Sequence, residues 1–479
     1  MSRLSFSTLP TLPDAIQTPA AHRKGGVGIV HFGPGAFHRA HQAAYVDDLL
    51  AHDPRWGIAA VSIRTRGTID ALAAQDGLYT LAIRDAVLSM RVIGAHRRFL
   101  GPEDAAQTQA LLADPGVALV TTTVTEKGYC LATDGTLDME HPDIVHDLAG
   151  AGVPRSVVGW IVAGLAARKA AGIAPFVPMP CDNLASNGVK LHAALVAFAG
   201  QRDASLANWI AGEVRVPSTM VDSITPASDA ALYADIAVTL GVEDRAAVQR
   251  ESFAQWVIED IGRPIGPDLA SVGATVTSDV AGYEKAKLRI LNGAHSTLAY
   301  AGLLRGSTSV AEAMRDEDLA GFVDAMIVDD IIPMLPPVRG LDIQAYRAAV
   351  LQRFRNPVIV HRLDQIAQDG SQKLPYRLGD TLLANRRDGR MPTKVVAAFG
   401  AWVAFLIRRS RAGQPIVDPA GETLAAIASE GSPAKVVARL AERGLGIPRE
   451  AMDDADLLDA LTRAATAAHD ENWMTLFAV

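Results

Sequence analysis

The run Val27 to Phe32 (VGIVHF) stops at Gly33-Pro34-Gly35 and gives way to apolar residues at helical spacing: Phe37, Ala40, Ala44, Tyr45 and Leu49. A short run that is apolar almost throughout, rather than alternating, reads as a strand buried on both faces. Such strands lie in parallel sheets, and parallel neighbours need a crossover, usually a helix. The pattern recurs. Strand patterns over 57–63 (GIAAVSI) and 118–124 (ALVTTTV), with a weaker one over 174–177 (APFV), are separated by helical patterns over 68–75, 107–112, 157–170 and 189–199. The first half of the chain is therefore expected to be α/β, a mostly parallel sheet with helices on both faces.

From about Tyr283 β-branched runs become scarce and helical patterns follow one another over 284–304, 319–334, 342–353, 395–409 and 433–442. A boundary near Asp279 divides the chain into residues 1–280, an α/β domain preceded by an irregular arm over 1–24 with Pro10, Pro13 and Pro19, and residues 281–479, a mainly α-helical domain. The length of 479 residues suits two to three domains at ~150 residues each. The run Arg408 to Arg411 (RRSR) reads as a solvated helix end, since cations suit a helix C-terminus. No internal repeat or low-complexity segment stands out.

Composition narrows the function. Acidic residues exceed basic ones by 53 − 45 = 8, which argues against a nucleic-acid or membrane-surface binder. The two cysteines, Cys130 and Cys181, are too few for a disulfide framework or a cysteine-rich zinc site. The opening MSRLSFSTLPTLPDAIQ lacks a signal-peptide core, and no apolar run approaches the ~18 residues of a membrane span. A cytoplasmic enzyme acting on small molecules is expected, with no nucleic-acid or membrane partner and no resident metal.

Two glycines in Gly33-Pro34-Gly35 allow a tight turn and close approach of the backbone to a pyrophosphate, and the helix behind them adds oriented N–H groups. The position after the first strand is the one a dinucleotide-binding, Rossmann-like domain requires. His38 stands where the usual third glycine would, so an ordinary strand-to-helix turn is an equal reading of the spacing. Gly33, Gly35 and Phe37 are the cofactor candidates, with Arg39 as a further phosphate contact. After the second strand pattern come Ser62-Ile63-Arg64-Thr65-Arg66, with no acid before Asp70. An acid there would accept from the ribose of NAD and an arginine would hold the 2′-phosphate of NADP, so the spacing leaves the two cofactors open.

The helical half opens with Glu284, Lys287, Asn292 and His295 in an otherwise largely apolar helical pattern. On a regular helix Lys287, His295 and Asn292 fall near ~0°, ~80° and ~140°, with Glu284 near ~60°. A lysine on a buried helix tends to lose its proton, as a general base near neutral pH must. The neighbouring amide and imidazole can bind a hydroxyl or alkoxide oxygen. A buried helix whose polar groups are satisfied by carbonyls fits the same spacing. A second group, Cys181-Asp182-Asn183 followed by Ser186, sits at a strand end and reads either as a ligand edge or as a helix cap. Metal-ligand, P-loop and GxSxG spacings do not occur.

Six stretches together resemble the polyol-specific long-chain dehydrogenases, the mannitol dehydrogenase family. They are IVHFGPGAFHRAHQA (29–43), TVTEKGYC (123–130), CDNLASNG (181–188), FAQWVIED (253–260), KLRILNGAH (287–295) and QIAQDGSQKLP (365–375), in family order across nearly the whole chain. The resemblance implies oxidation of a secondary alcohol of a sugar alcohol or sugar acid with NAD and no metal. It implies Lys287 as the general acid/base, Asn292 and His295 beside it, and Asn183 sharing the alkoxide with Asn292. Glu284 becomes a proton-relay group, and Asp222 and Lys373 become substrate contacts. The family's arginine after the aspartate is Ser223 here.

Gln365 stands where mannitol 2-dehydrogenases carry arginine, and QIAQDGSQKLP with TEKGYC and KLR is closer to the fructuronate reductase branch. That branch interconverts a keto-uronate and an aldonate, D-fructuronate and D-mannonate. An anionic substrate needs a cation, for which Lys127, Arg289, Arg362 and Arg377 are candidates. A mannitol 2-dehydrogenase or other polyol dehydrogenase is the alternative, and a non-catalytic dinucleotide-binding sensor the rival of a different class. The chain is expected to act as a monomer or small homo-oligomer.

Overall fold

The computed structural model describes residues 1–19, 25–85, 87–150 and 152–477. It divides into two compact units, Met1–Val280 and Ala281–Val479. The strands described are β1 (Val27–Phe32), β2 (Gly57–Val61), β3 (Tyr79–Ile83), β4 (Ser89–Ile93), β5 (His96–Leu100), β6 (Leu119–Thr122), β7 (Val177–Pro180), β8 (Thr219–Asp222), β9 (Val248–Arg250), β10 (Gln255–Glu259) and β11 (Thr275–Thr277), all in the first unit.

The main sheet has five strands in the order β5-β2-β1-β6-β7, and every pairing in it is parallel. The strands β5-β2-β1 have the order of one mononucleotide-binding half and β6-β7 begin the second, with the direction of growth reversing between β1 and β6. Both faces are covered, because successive side chains alternate across a strand. Val30 and Phe32 of β1 join one core with Val61 and Val120, packed by helices Val157–Ala171 and Asn187–Gly200. Ile29 of β1 joins the opposite core with Ile58, Leu119 and Met179, packed by helix Gln42–Leu50. The expected α/β sheet is therefore present.

Differences from the expected elements have local causes. The weak pattern over 174–177 becomes a strand at Val177–Pro180, masked by Pro178 and Pro180. It lies at one edge of the sheet, where proline costs least. The opposite edge is β5, where Arg97 and Arg98 break the apolar signal. The small sheets β11-β10-β8 and β4-β3-β9 use strands of three to five residues, too short to show a period. The arm is ordered over the described 1–19, where Leu4 and Leu12 are buried against Leu232, Ile236 and Leu240 of helix Ala230–Leu240; residues 20–24 of it lie outside the described residues.

The second unit is helical throughout its described residues. Its centre is helix Thr393–Arg411, with Phe399 and Trp402 fully buried, crossing helix Ala455–His469. Gly400 lets the two backbones touch: a Cβ there would lie 2.6 Å from the Ala464 carbonyl carbon. Two of the expected continuous helices are interrupted. The stretch 284–304 is α over Val280–Ala286, π over Lys287–Asn292 and α again over Gly293–Leu304. The stretch 319–334 turns π at Met326–Ile331, and a third π segment occupies Pro375–Gly379. Among the described residues no helix is long and apolar enough to cross a membrane.

Candidate active site

In the first unit the turn after β1 is built around Gly33. Its φ is +86°, its N–H donates to the Val61 carbonyl at 3.0 Å, and a Cβ would lie 2.3 Å from the Thr123 carbonyl oxygen. Only glycine fits there. Gly35 opens helix Ala36–Ala40, and a Cβ on it would meet nothing closer than 3.9 Å. The space beside Gly35 is open, as backbone approach to a pyrophosphate requires, so the turn fits a dinucleotide. Phe37 is half-buried and stacks on His41 with ring centroids 5.1 Å apart.

Arg39 has a place other than the one expected. It is buried, with Nη1 donating to the Pro34 carbonyl at 2.6 Å, while the Tyr79 hydroxyl donates to the Arg39 carbonyl at 2.7 Å. It braces the turn from inside instead of offering its charge to a phosphate. His38 at the missing-glycine position is also internal. It stacks on His31 with centroids 3.4 Å apart, and its Nε2 lies 3.1 Å from Nε2 of His96. All three rings are buried. Burial lowers the pKa of His31 and of His96 to about 3, and holds His38 well below its usual range, with neighbouring positive charge adding to the effect.

The loops after β6 and β7 are tied together. Asp182 accepts from the Thr125 N–H at 2.9 Å and from the Tyr129 hydroxyl, which also meets Thr122 Oγ1 at 2.5 Å. Burial, then the Asp182 charge, pushes the Tyr129 pKa well up, so this phenol stays protonated and donates. Asn183 is exposed beside this anchor, and Lys127 is exposed in the segment Glu126–Tyr129. The helix-cap reading of Asp182, Asn183 and Ser186 is corrected: Ser186 sits at the cap position with φ +53° and makes no side-chain cap bond. Asn187 does the structural work instead. Fully buried, it donates to the Thr219 carbonyl at 3.0 Å and accepts from the Thr219 N–H at 2.9 Å, joining the β7 end to β8. Its place in CDNLASN was readable as polar but not as buried. Asp222 is buried at the last position of β8.

At the end of β2, Arg64 pairs with Asp143 at 2.7 Å. Arg66 pairs with Asp70 at 2.9 Å, with Glu103, and with Asp104 at 3.7 Å. Cys130, His141 and Asp143 lie with their ligand-type atoms within 4.8 Å of one another, the one grouping of metal-type composition among the described residues. Its carboxylate is already held by Arg64, and burial raises the Cys130 thiol to about 11. Both features oppose a dication.

In the second unit the polar groups of the Lys287 segment are half-buried, among buried Tyr283, Ala286, Ile290, Leu291 and Ala294. The π geometry changes their relation. Hydrogen bonds run from i to i+5 in such a segment, so Asn292 stands one turn above Lys287 and shares its face. On a regular helix the two would diverge by ~140°. His295 stacks on Phe354 with centroids 4.7 Å apart and meets His361 edge-on at 5.6 Å. Glu284 lies one turn before Lys287 in the α portion.

Arg377 stands against this segment, and Lys373 lies within reach of its charge. Arg377, on the π segment Pro375–Gly379, donates to Ser296 Oγ at 2.9 Å and to the Asn292 carbonyl at 3.4 Å. Burial lowers its pKa, and no carboxylate among the described residues lies within ion-pair distance of it. Lys373 donates to the Gln368 carbonyl at 2.8 Å and reaches Asp369 at 3.4 Å; burial and then the Arg377 charge lower its pKa. The other candidates are engaged elsewhere. Arg289 donates to the Met334 carbonyl at 3.2 Å and faces Asp380 at 3.8 Å, while exposed Arg362 pairs with Asp364 at 2.5 Å.

Comparison with known proteins accounts for both units. Residues 27–267 match the mannitol dehydrogenase Rossmann domain and residues 279–464 the mannitol dehydrogenase C-terminal domain. The chain is 40% identical to the D-mannonate oxidoreductase of Escherichia coli (strain K12), over 82% of each. It is 38% identical to the mannitol 2-dehydrogenase of Cereibacter sphaeroides, over 85% of this chain and 86% of that one. Its structure is similar to that of Pseudomonas fluorescens mannitol 2-dehydrogenase, solved as a ternary complex with NAD and D-mannitol, with a TM-score of 0.83, 34% identity and 99% of each chain covered. With both domains matched in order, the chain belongs to the mannitol dehydrogenase family, whose members named here are oxidoreductases acting on polyols and sugar acids.

Proposed function

We propose that the protein is an NAD-dependent oxidoreductase that interconverts D-fructuronate and D-mannonate. Bound NAD supplies the hydride acceptor for the carbinol carbon. Lys287 takes the hydroxyl proton in oxidation and returns it in reduction, with Glu284 relaying it. The Asn292 amide, on the same face, donates to the developing alkoxide and His295 to the neighbouring oxygen. On the strength of the family resemblance, Asn183 enters as a second donor to the alkoxide and Asp222 as a contact to a substrate hydroxyl. The open space beside Gly35 supports the dinucleotide, and the NAD complex of the P. fluorescens relative supports the choice of NAD.

The observation that carries a sugar acid over a neutral polyol is the half-buried guanidinium of Arg377 beside the Asn292 turn, with Lys373 close enough to feel its charge. A cation withdrawn from water with no carboxylate in ion-pair distance is stabilised when a ligand brings one. The identity to the E. coli D-mannonate oxidoreductase points the same way. A mannitol 2-dehydrogenase is the second reading, favoured by the similar identity to the Cereibacter enzyme. NADH oxidation with fructuronate, tagaturonate and fructose separates them. A site built for a carboxylate should prefer fructuronate over fructose by on the order of 10²-fold or more in kcat/KM. Equal or higher efficiency with fructose refutes the uronate assignment and leaves Lys287 untouched.

A further inference from the structure

Arg64 and Arg66 follow the C-terminal end of β2, where a sheet of this strand order meets the adenosine ribose of a dinucleotide. A free arginine there holds the 2′-phosphate of NADP, and an acid accepts from the 2′-hydroxyl of NAD. The β2 end supplies no acid of its own. Carboxylates reach it from three other elements. Asp143, in the first turn of helix Pro142–Leu148, pairs with Arg64 at 2.7 Å. Glu103 and Asp104, in the turn Pro102–Asp104 after β5, meet Arg66, the latter at 3.7 Å. Asp70 of helix Gly67–Ala73 meets Arg66 at 2.9 Å. Two guanidinium groups thus face four carboxylates, a local charge of 2 − 4 = −2.

We propose that Asp143 and Glu103 are specificity-determining residues that make this chain select NAD over NADP, by occupying the two arginines that would otherwise bind a 2′-phosphate. The proposal rests on the dinucleotide reading given above. A 2′-phosphate brings close to two negative charges into a corner already negative, and each arginine it approaches must first release a carboxylate. A ribose diol meets no such barrier, since it carries no charge and needs neither arginine released. Asp143 and Glu103 lie 79 and 37 positions from their arginines, so the preference is set by folding and not by a motif next to β2.

The test is equilibrium binding of NADH and of NADPH to the full chain, read by quenching of protein fluorescence without turnover. Wild-type protein should bind NADH at least tenfold more tightly than NADPH. Asp143→Asn and Glu103→Gln should each tighten NADPH about tenfold, the order expected for freeing one charge-assisted contact, while the Kd for NADH stays within about twofold. Adding Arg64→Ala to Asp143→Asn should remove the gain, and the gain should fall as salt rises. Wild-type binding of NADPH as tight as NADH overturns the proposal and leaves the dinucleotide reading standing. So does an unchanged NADPH affinity in both variants, or an equal change for both nucleotides. Failure of the wild-type chain to bind either nucleotide removes the dinucleotide reading and the proposal with it.

Discussion

Acidification should unfold the first unit from inside the cofactor turn. His31, His38 and His96 are buried together, with His31 between Thr121 Oγ1 at 2.7 Å and Thr123 Oγ1 at 2.9 Å. In the folded chain they stay neutral, because burial closes the site to water, and the charges of Arg39 beside His38 and His96 and of Arg97 beside His96 add to the effect. In the unfolded chain the same rings titrate at 6.5. Unfolding below that value takes up protons, so stability is fully present above 6.5 and is lost as the pH falls toward the folded value of about 3. Between about pH 8 and about pH 5, His31 and His96 should each lose about 2 kcal/mol, about 4 kcal/mol together. That is a large fraction of the ~5–15 kcal/mol that holds an ordinary domain folded.

Urea unfolding at about pH 8 and about pH 5, followed by far-ultraviolet circular dichroism, measures the loss directly. The discriminating variant is His96→Asn, which removes one titrating ring and keeps a polar side chain near the Nε2 of His38. Its absolute stability is not the readout. Its drop between the two pH values should be smaller than that of the wild type by about 2 kcal/mol. Asp47 and Asp244 act in the opposite sense, since burial raises their pKa values and favours the folded state as the pH falls. They are common to both proteins and cancel in the comparison. Equal stability at the two pH values, or an unaltered drop in His96→Asn, refutes the assignment.

Three further outcomes follow from particular contacts. Lys287→Ala should lower kcat by roughly 10²–10⁴-fold while NADH binding persists, checked by steady-state kinetics beside a binding titration; activity within a few fold of wild type removes the acid/base role. Gly33→Ala places a Cβ 2.3 Å from the Thr123 carbonyl oxygen at a φ of +86°, so NADH affinity should fall by more than about tenfold; an unchanged Kd would show that this turn does not hold the dinucleotide. Prolonged dialysis against a chelator should leave turnover unchanged, because the proposed base is Lys287 and Arg64 already holds the carboxylate of the Cys130, His141 and Asp143 group; loss of activity restored by zinc would overturn this.

The parallel sheet was legible because β1 must feed two cores at once: Val30 and Phe32 face one and Ile29 the other, and only an apolar run can do that. The edge strands β5 and β7 were illegible for the complementary reason. An edge strand is paired on one side only, so it tolerates Arg97 and Arg98 in β5 and the buried Pro178 and Pro180 in β7, which erase the apolar signal. The site shows a sharper division. Residue types carry chemistry, so Lys287, Asn292 and the glycine turn stand out in the chain. Their relations depend on partners that local spacing does not encode. Arg39 and Arg64 are both cations near the glycine turn and the β2 end, yet one is turned onto the Pro34 carbonyl and the other held by a carboxylate 79 positions away. Counting ~100° per residue leaves Lys287 and Asn292 ~140° apart. They share a face because the helix widens there by one residue per hydrogen bond, a departure six residues long that no period over a longer window can register. The widening costs helix geometry and recurs at Pro375–Gly379, which carries Arg377 to the Asn292 carbonyl. Two π segments thus meet at one carbonyl, in the segment that carries the lysine proposed to transfer the proton.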